Sequence, residues 1–515
     1  MKGPRHYIRC IGTMVLPVLV FLCSAGMADV ITGAVPIENG DTPDTVVAKA
    51  VQVRPHPRQL AWQQRELIAF IHFTVNTFTD KEWGEGTEDP AIFNPTELDA
   101  RQWVRVCKEA GMKMVILTAK HHDGFCLWPS KYTEHSVKNS PWKGGKGDVV
   151  AELAQACREA GLALGLYLSP WDRHEKSYGD SPKYNEYYVK QLTELLTNYG
   201  PVAEVWMDGA CGEGPNGKRQ VYDWPTYFAT VRRLQPDAVI FNGPDVRWVG
   251  NEAGYARETE WSVVGVDTLD GLGYSLEASG RITGKDLGSL DLLRKSKFMV
   301  WYPAETDVSI RPGWFYHAAE DARVKTVQQL LDIYYASVGR NSLLLLNLPP
   351  DRRGLIHETD ARRLSEFGRV LRATFTKNLA AGAKAVAVPA GTSAGTDDPK
   401  KIVDADPATH WVSPTAESPV TIELDLGTAT TFNRLMLQEY IVLGQRIEEF
   451  TFEVRTPDGW KQVARGTTVG YKRLLVFDNV TTDKVRLHIV RSRLNPTLCN
   501  LGLFYQPPLA DILKP

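Results

Sequence analysis

Between about residues 65 and 350, short apolar runs alternate with amphipathic stretches, and this alternation most restricts the fold that the chain can adopt. A chain that alternates strands with helices builds a parallel sheet, because each helix carries the chain back to the start of the next strand. No Gly-rich dinucleotide-binding loop follows the first apolar run, which disfavours an open doubly wound sheet. The pattern therefore predicts a (β/α)8-type (TIM-like) barrel of the α/β class.

Seven strands of this barrel are visible as apolar runs. They are predicted at residues 67–73, 112–119, 162–168, 203–207, 238–241, 298–301 and 342–346. The eighth strand is expected to be degenerate or to lie in the irregular Gly/Ser-rich stretch 271–289. Helices are predicted at residues 100–110 and 149–160, which both end in Ala-Gly, and at residues 184–199, 324–337 and 359–375.

The periodicity changes after residues 380–395, a segment dominated by Ala, Gly, Val and Ser. Beyond it, residues alternate with period two, and turns such as Pro457-Asp458-Gly459 separate the runs. This pattern predicts a C-terminal β-sandwich with strands at residues 420–426, 432–438, 449–455 and 484–490. A chain of 515 residues has room for both units, which we place at residues 29–377 and 378–515.

The N-terminus has the composition of a cleaved signal peptide. A basic start precedes an apolar run over residues 11–23, and small residues lead up to Ala28. Residues 1–28 are therefore expected to direct export to the periplasm or the outside of the cell. Lipoprotein anchoring through Cys23 is the less favoured alternative, because the two residues before it are bulky. No later segment approaches 18 uninterrupted apolar residues, so the mature chain is not expected to enter a membrane.

Charge and composition restrict the partners. The 59 basic and 61 acidic residues nearly balance, which offers no basic face for nucleic acid. The 14 Trp and 19 Tyr residues suit uncharged partners such as sugars, although most of them are expected in the core. The five cysteines that follow residue 28 are scattered without CxxC spacing, so neither a disulfide framework nor a zinc ribbon is implied.

Polar and aromatic residues occupy the ends of the predicted strands, where a barrel enzyme carries its active site. Period-two alternation in Glu204-Val205-Trp206-Met207-Asp208 places Trp206 and Asp208 on the inward face. Asp208 then serves either as a cap before Gly209 or as a catalytic carboxylate. Tyr167 is expected to reach into the barrel mouth, or else to be a buried structural Tyr.

Histidines follow two of the strands. His121 and His122 are neighbours, so they would point to opposite faces unless the strand ends or bulges there. With His72, His174 and Asp208 they could suggest a metal, but the spacing identifies no ligand set, and we predict none. Hydrogen bonds to sugar hydroxyl groups are the favoured role, with structural histidines as the alternative.

Together these motifs resemble the α-L-fucosidases of glycoside hydrolase family 29 over most of the mature chain. The matching motifs are His72 with Glu82-Trp83, His121-His122-Asp123-Gly124-Phe125, Tyr167-Leu168-Ser169-Pro170-Trp171 and Glu204-Val205-Trp206-Met207-Asp208-Gly209. The resemblance implies that Asp208 is the nucleophile. It also implies that fucose is contacted by His72, Glu82, Trp83, His121, His122, Tyr167 and Trp206, with Trp314 closing the pocket.

The general acid/base varies in position within that family. Residues 245–252 follow the fifth predicted strand and resemble the corresponding loop of the α-1,3/1,4-specific subgroup, which implies Glu252 as the acid/base. Glu258, Glu260 and Glu305 are the alternatives. The subgroup also carries a C-terminal sandwich, here similar to discoidin-like modules through Val403-Asp404-Ala405-Asp406 and His410-Trp411. The sequence leaves open whether this module binds sugar or calcium.

The resemblance implies a retaining exo-α-L-fucosidase that releases terminal α-1,3/1,4-linked fucose from oligosaccharides or glycoconjugates by double displacement. Such a reaction needs no organic cofactor. A non-catalytic fucose-binding lectin on a hydrolase-like barrel is an alternative, because the sugar contacts can persist without turnover. A retaining hydrolase of another sugar is the second alternative. The oligomeric state is not indicated.

Overall fold

The structure is a computed structural model that describes residues 33–269, 276, 280–388, 398–404, 406–416 and 419–514. The predicted signal peptide lies outside this range, as do most of residues 271–279 in the stretch expected to hold an eighth strand. Among the helices that are described, none combines the length and apolarity that crossing a bilayer requires.

Eight parallel strands form the wall of a barrel in the N-terminal domain. In chain order, and called the first to eighth barrel strands below, they are Leu67–Ile71, Met114–Lys120, Ala163–Leu168, Glu204–Trp206, Val239–Phe241, Arg247–Trp248, Ala304–Ser309 and Ser342–Asn347. The eighth strand pairs with the first, and one parallel bridge between Phe241 and Val246 joins the fifth strand to the start of the sixth. The predicted (β/α)8-type barrel is confirmed in this nearly closed form.

In the described part of the chain, the longer helices around the barrel are Ala100–Ala110, Val149–Ala160, Ser181–Asn198, Trp224–Leu234, Val327–Ala336 and Glu358–Phe375. The first two have the predicted bounds, because Asp99 and Asp148 cap their first turns and the left-handed residues Gly111 and Gly161 end them. Shorter helices are Pro43–Ala50, Pro57–Gln63, Val75–Thr79, Leu290–Leu293 and Leu509–Ile512.

The prediction for residues 298–301 was wrong in one respect. Phe298–Trp301 is a strand, but it pairs antiparallel with Val263–Val266 and Val35–Pro36 in a separate small sheet. The sixth and seventh barrel strands were not predicted at all. The sixth has two residues, and the seventh contains Glu305 and Asp307, so neither forms an apolar run.

Period-two alternation sorts side chains between the inside and the outside of the barrel. On the third barrel strand, Leu164 and Leu166 pack toward the helices, whereas Tyr167 lies in the inner cluster. On the fourth strand, Val205 packs outward and Trp206 packs inward. The orientations predicted from the sequence are confirmed for both strands.

Two carboxyl groups are buried inside the barrel. Trp62 Nε1 donates to Glu204 at 2.7 Å, and Trp206 Nε1 donates to Glu305 at 2.8 Å. Burial raises the pKa of Glu204 to about 7. Burial and repulsion by Glu204 raise the pKa of Glu305 well above its ordinary value. The pair therefore holds a proton at neutral pH.

The C-terminal domain is an antiparallel β-domain around its own apolar core. Its main sheet contains Lys384–Val388, Val420–Gln438, Ile447–Thr456, Gly459–Gly466, Arg473–Ser492 and Asn500–Phe504, and Trp411–Val412 pairs separately with Thr497–Leu498. The strands predicted at residues 420–426 and 432–438 are two halves of one long strand, whose register shifts between Asp425 and Thr430. The predicted turn at residues 457–459 is confirmed as a hairpin.

Polar contacts join the two domains. Lys472 Nζ donates to Glu66 at 2.5 Å, and the Tyr471 backbone N–H donates to Asn341 Oδ1 at 2.8 Å. Arg473 donates to the Glu258 carboxylate at 3.1 Å. Glu66 and Asn341 directly precede the first and eighth barrel strands. The C-terminal domain therefore contacts the barrel at the end where these strands begin.

Replacing Glu305 with Gln should remove the buried proton. In the wild type the folded state keeps a proton on Glu305 that the unfolded chain releases above a pKa of 4.5, so the contribution of this proton to stability falls as the pH rises from there through neutrality. The free energy of unfolding of Glu305→Gln, relative to the wild type, should rise by up to about 1.4 kcal/mol per pH unit across that window. Urea unfolding at several pH values measures this, with the exposed Glu109→Gln as control. A difference that does not change with pH would contradict the assignment.

Candidate active site

A pocket of about 400 Å³ lies at the C-terminal ends of the barrel strands. Its lining includes all ten residues proposed from the sequence: His72, Glu82, Trp83, His121, His122, Tyr167, Trp206, Asp208, Glu252 and Trp314. Phe70, Ala210 and Asp307 also line it and were not identified from the sequence. Motifs spread over more than 240 residues thus meet in one cavity.

Aromatic rings close the floor of the pocket. Trp206 stacks on Phe241 with ring centroids 4.1 Å apart and lies 5.1 Å from the ring of Phe70. The hydrogen bond from Trp206 Nε1 to Glu305 fixes the indole in this plane. The floor is therefore a rigid apolar surface of the kind that packs against the C–H face of a sugar.

Asp208 follows the fourth barrel strand and is held at both oxygens. Its Oδ1 accepts the backbone N–H of Ala210 at 2.7 Å, which is the local turn expected of a cap. Its Oδ2 accepts the Tyr167 hydroxyl at 3.1 Å and lies 3.8 Å from His122 Nε2. Burial raises the pKa of Tyr167 well above its usual value, so Tyr167 remains a donor. The carboxylate is fixed by these bonds while it lines the cavity.

Both neighbouring histidines line the pocket because the second barrel strand bulges and then ends. Its register against the third strand shifts between Thr118 and Lys120, and the strand stops at Lys120. A buried ion pair from Lys120 to Asp172, 2.9 Å long, anchors this end. The rings of His121 and His122 consequently lie side by side, with centroids 4.1 Å apart.

The hydrogen bonds of His72 define its tautomer. Asn347 Nδ2 donates to the Trp314 carbonyl at 2.8 Å, so Asn347 Oδ1 is the acceptor for His72 Nδ1 at 2.8 Å. His72 Nδ1 therefore carries the proton. Burial lowers the pKa of His72 to about 3, which leaves Nε2 as a neutral acceptor.

His122 has the same arrangement. The Ser169 hydroxyl donates to the Trp171 carbonyl at 2.7 Å, so it accepts from His122 Nδ1 at 2.7 Å. Burial lowers the pKa of His122, and burial lowers that of His121 well below the usual range. The three imidazoles are therefore neutral, and His72 and His122 keep Nε2 free to accept hydrogen bonds from hydroxyl groups.

Glu82 holds the loop that carries Trp314. Its carboxylate accepts the backbone N–H groups of Trp314 at 2.8 Å and Phe315 at 3.1 Å, and His317 Nε2 lies 2.7 Å from Oε1. A Cβ atom at Gly313 would lie 2.5 Å from Oε1 of Glu82, so a larger residue there would displace the carboxylate from these contacts. Glu82 thus organises one wall of the pocket in addition to lining it.

Of the four glutamates considered as general acid/base, Glu252 is the one in the pocket lining. Trp314 Nε1 donates to its Oε2 at 3.3 Å. Glu258 and Glu260 are ion-paired with arginines outside the pocket, and Glu305 is buried beneath its floor. Glu252 therefore shares the pocket with Asp208, and its role as general acid/base stays a prediction.

Asp307 is the fourth carboxyl group in the pocket lining, after Glu82, Asp208 and Glu252. It lies on the seventh barrel strand, and Trp248 Nε1 donates to its Oδ1 at 2.8 Å. Burial, with repulsion from Glu252 and Asp208, raises its pKa to about 8. Its strand was not predicted, so no sequence signal placed it in the site.

Within the part of the chain that the structure describes, no group of three or more His, Cys, Asp or Glu residues is arranged to hold a metal ion. Cys107, Cys126, Cys157, Cys211 and Cys499 are free thiols. Carboxyl groups, imidazoles and aromatic rings line the pocket.

Comparison with known proteins identifies relatives of both domains. The sequence profile of the family described as Alpha-L-fucosidase matches residues 57–374, and that of the F5/8 type C domain matches residues 385–500. An Arabidopsis thaliana protein, Alpha-L-fucosidase 1, is 47% identical over 472 residues, which cover 88% of this chain and 89% of that protein.

Solved structures agree with the sequence comparison. The crystal structure of a Bacteroides ovatus protein described as an alpha-L-fucosidase superposes with a TM-score of 0.83 at 50% sequence identity. The match covers 92% of this chain and 78% of the Bacteroides ovatus chain. A Ruminococcus gnavus glycoside hydrolase family 29 fucosidase in complex with fucose is 34% identical with a TM-score of 0.79, covering 90% of this chain and 96% of its own.

Replacing Glu82 with Ala should loosen the Trp314 loop, because two backbone N–H groups lose a charged acceptor. Each such bond contributes about 1.5–3 kcal/mol to the protection of its own amide, so we expect hydrogen exchange of the Trp314 and Phe315 amides, followed in the peptide covering residues 311–317, to accelerate about 10- to 100-fold. Mass spectrometry of the exchanged peptides measures this, with Val149–Ala160 as internal reference. The matched control is Glu85→Ala, an exposed neighbour that pairs with Lys81. Equal exchange in the two variants would contradict the anchoring role.

Proposed function

The chain belongs to the α-L-fucosidase family, and from this membership and the pocket geometry we propose that it is a retaining exo-enzyme acting on terminal α-1,3/1,4-linked fucose of oligosaccharides or glycoconjugates. It is an α-L-fucosidase, a glycoside hydrolase with a glycan substrate, and its C-terminal domain is of the F5/8 type C family. The observation that carries the mechanistic proposal is that Asp208 and Glu252 line one pocket whose other groups suit a neutral sugar.

In the first step Asp208 attacks the anomeric carbon while Glu252 protonates the departing glycosidic oxygen. The C–O bond to the leaving glycan breaks and a covalent ester to Asp208 forms. The Tyr167 hydroxyl orients Oδ2 of Asp208 for the attack. Retention requires the two carboxyl groups to stand about 5 to 5.5 Å apart when substrate is bound.

In the second step Glu252, now a carboxylate, removes a proton from water. The hydroxide that develops attacks the anomeric carbon, and the ester bond to Asp208 breaks, which regenerates both carboxyl groups. Two inversions at the same carbon give net retention. Glu252 therefore acts first as an acid and then as a base.

Recognition of fucose follows from the neutral imidazoles and the rings. Nε2 of His72 and of His122 accept hydrogen bonds from sugar hydroxyl groups. Trp206 supplies an apolar surface for the ring and the C6 methyl group. Trp83 is 59% exposed at the mouth, where a ring can contact the rest of the glycan.

The test compares the wild type with Asp208→Asn and Glu252→Gln on Lewis-type trisaccharides and on 2'-fucosyllactose. We expect fucose release from the Lewis sugars, and a fall in kcat/KM of about 10²- to 10⁴-fold in Glu252→Gln, as for loss of a general acid. Asp208→Asn should lose at least as much. Glu258→Gln is the matched control, because its carboxylate pairs with arginines outside the pocket. A fully active Glu252→Gln would exclude Glu252 as the acid.

Proton NMR during turnover distinguishes the stereochemical outcomes. Retention predicts that α-L-fucose forms first and mutarotates afterwards, whereas β-L-fucose as the first product would overturn double displacement. Release from 2'-fucosyllactose at a rate equal to that from the Lewis sugars would overturn the linkage preference while leaving the fucosidase assignment intact.

We further propose that residues 1–28 direct export, on the grounds of their basic start, apolar run and small residues before Ala28. Expression of the full chain in a bacterial host should then give a periplasmic or extracellular product. Mass spectrometry should show that the exported chain begins at Asp29, directly after Ala28. Full-length protein retained in the cytoplasm would refute this proposal, and release that depends on Cys23 would favour the lipoprotein alternative.

A further inference from the structure

Asp307 is a pocket carboxyl group to which the double-displacement mechanism assigns no task. It is 4% exposed, lies on the seventh barrel strand and lines the cavity together with Asp208 and Glu252. Trp248 Nε1 donates to its Oδ1 at 2.8 Å and so fixes the side chain. A buried carboxyl group that is positioned this firmly needs a reason to be there, since burying it is costly.

We propose that Asp307 is a further substrate-binding residue, a neutral carboxylic acid that donates a hydrogen bond to an oxygen of the bound fucoside. The proposal rests on the proposed function and deepens it. It assigns to the site a donor for the oxygen of a fucose hydroxyl group, in addition to the proton that Glu252 gives to the glycosidic oxygen.

The surroundings of Asp307 keep it protonated. The titratable groups around it in the pocket lining are His72, Glu82, His121, His122, Tyr167, Asp208 and Glu252, and Glu305 lies one layer deeper on the same strand. The lining that the structure describes contains no Lys or Arg, so four carboxyl groups share a pocket without a cation. Burial is the largest cause that raises the pKa of Asp307 to about 8.

The hydrogen-bond inventory of the pocket supports a donor role. Tyr167 uses its proton on Asp208, and the indole N–H groups of Trp206 and Trp314 are directed to Glu305 and Glu252. The free Nε2 atoms of His72 and His122 accept. A sugar has more acceptor than donor capacity, so its hydroxyl oxygens need a donor besides the Glu252 acid, which serves the glycosidic oxygen.

The position of the proton follows from the Trp248 contact. Because Oδ1 accepts the Trp248 N–H, the proton of the neutral acid is carried by Oδ2. An asparagine at this position can keep both features, with its carbonyl toward Trp248 and its NH₂ group as the donor. Asp307→Asn is therefore a close replacement for the protonated form, and Asp307→Ala removes it.

The test follows kcat/KM against pH with α-L-fucosyl fluoride, whose leaving group does not need protonation by Glu252. In the wild type the rate should fall as the pH rises through about 8, because the active form of Asp307 is the protonated one. Asp307→Asn should keep most of the neutral-pH rate and lose this alkaline limb. Asp307→Ala should lose about 10- to 100-fold at neutral pH.

Two controls make the outcome decisive. The alkaline limb should persist in Glu252→Gln, which shows that it does not report Glu252, and thermal unfolding of Asp307→Asn checks that the variant is folded. The proposal is overturned if Asp307→Asn is as impaired as Asp307→Ala, if it retains the limb, or if Asp307→Ala equals the wild type. A wild type that releases no fluoride would instead contradict the proposed function.

Discussion

The site depends on the parallel pairing of the eighth barrel strand with the first. Leu344 to Asn347 pair with Leu67 to Phe70, which places residues nearly 280 positions apart in sequence in one hydrogen-bonded ladder. Asn347 then reaches His72 and sets its tautomer, while its Nδ2 holds the Trp314 loop through the Trp314 carbonyl. Barrel closure thus fixes the protonation pattern of the pocket as well as its shape, because the histidine and its partner come from opposite ends of the domain.

The parts predicted from the sequence are those that local patterns determine. The glycine stops at Gly111 and Gly161 and the inward face of Trp206 and Asp208 follow from spacing along a few residues. The sixth and seventh strands could not be predicted this way. Glu305 and Asp307 are polar by type yet buried, and only distant partners, Trp206 and Trp248, make that burial favourable.

The pocket residues show the same division. The motifs containing His121, Tyr167 and Asp208 were found because each follows a recognisable strand. The role of Glu82 in holding the Trp314 loop could not be predicted, since the backbone N–H groups that it binds lie more than 230 residues further along the chain. A motif can therefore identify which residues meet, whereas the proton assignments and loop anchors emerge only when the tertiary partners are known.

The aromatic floor formed by Phe70, Trp206 and Phe241 determines the order in which molecules enter and leave the pocket. With the barrel interior sealed, substrate, water and both products use the mouth of the pocket. In the proposed mechanism the severed glycan departs before water can approach the ester, and fucose is the last to leave. Free fucose can therefore occupy the resting enzyme and compete with the next glycan, whereas the severed glycan, which has already vacated the mouth, leaves the resting pocket available.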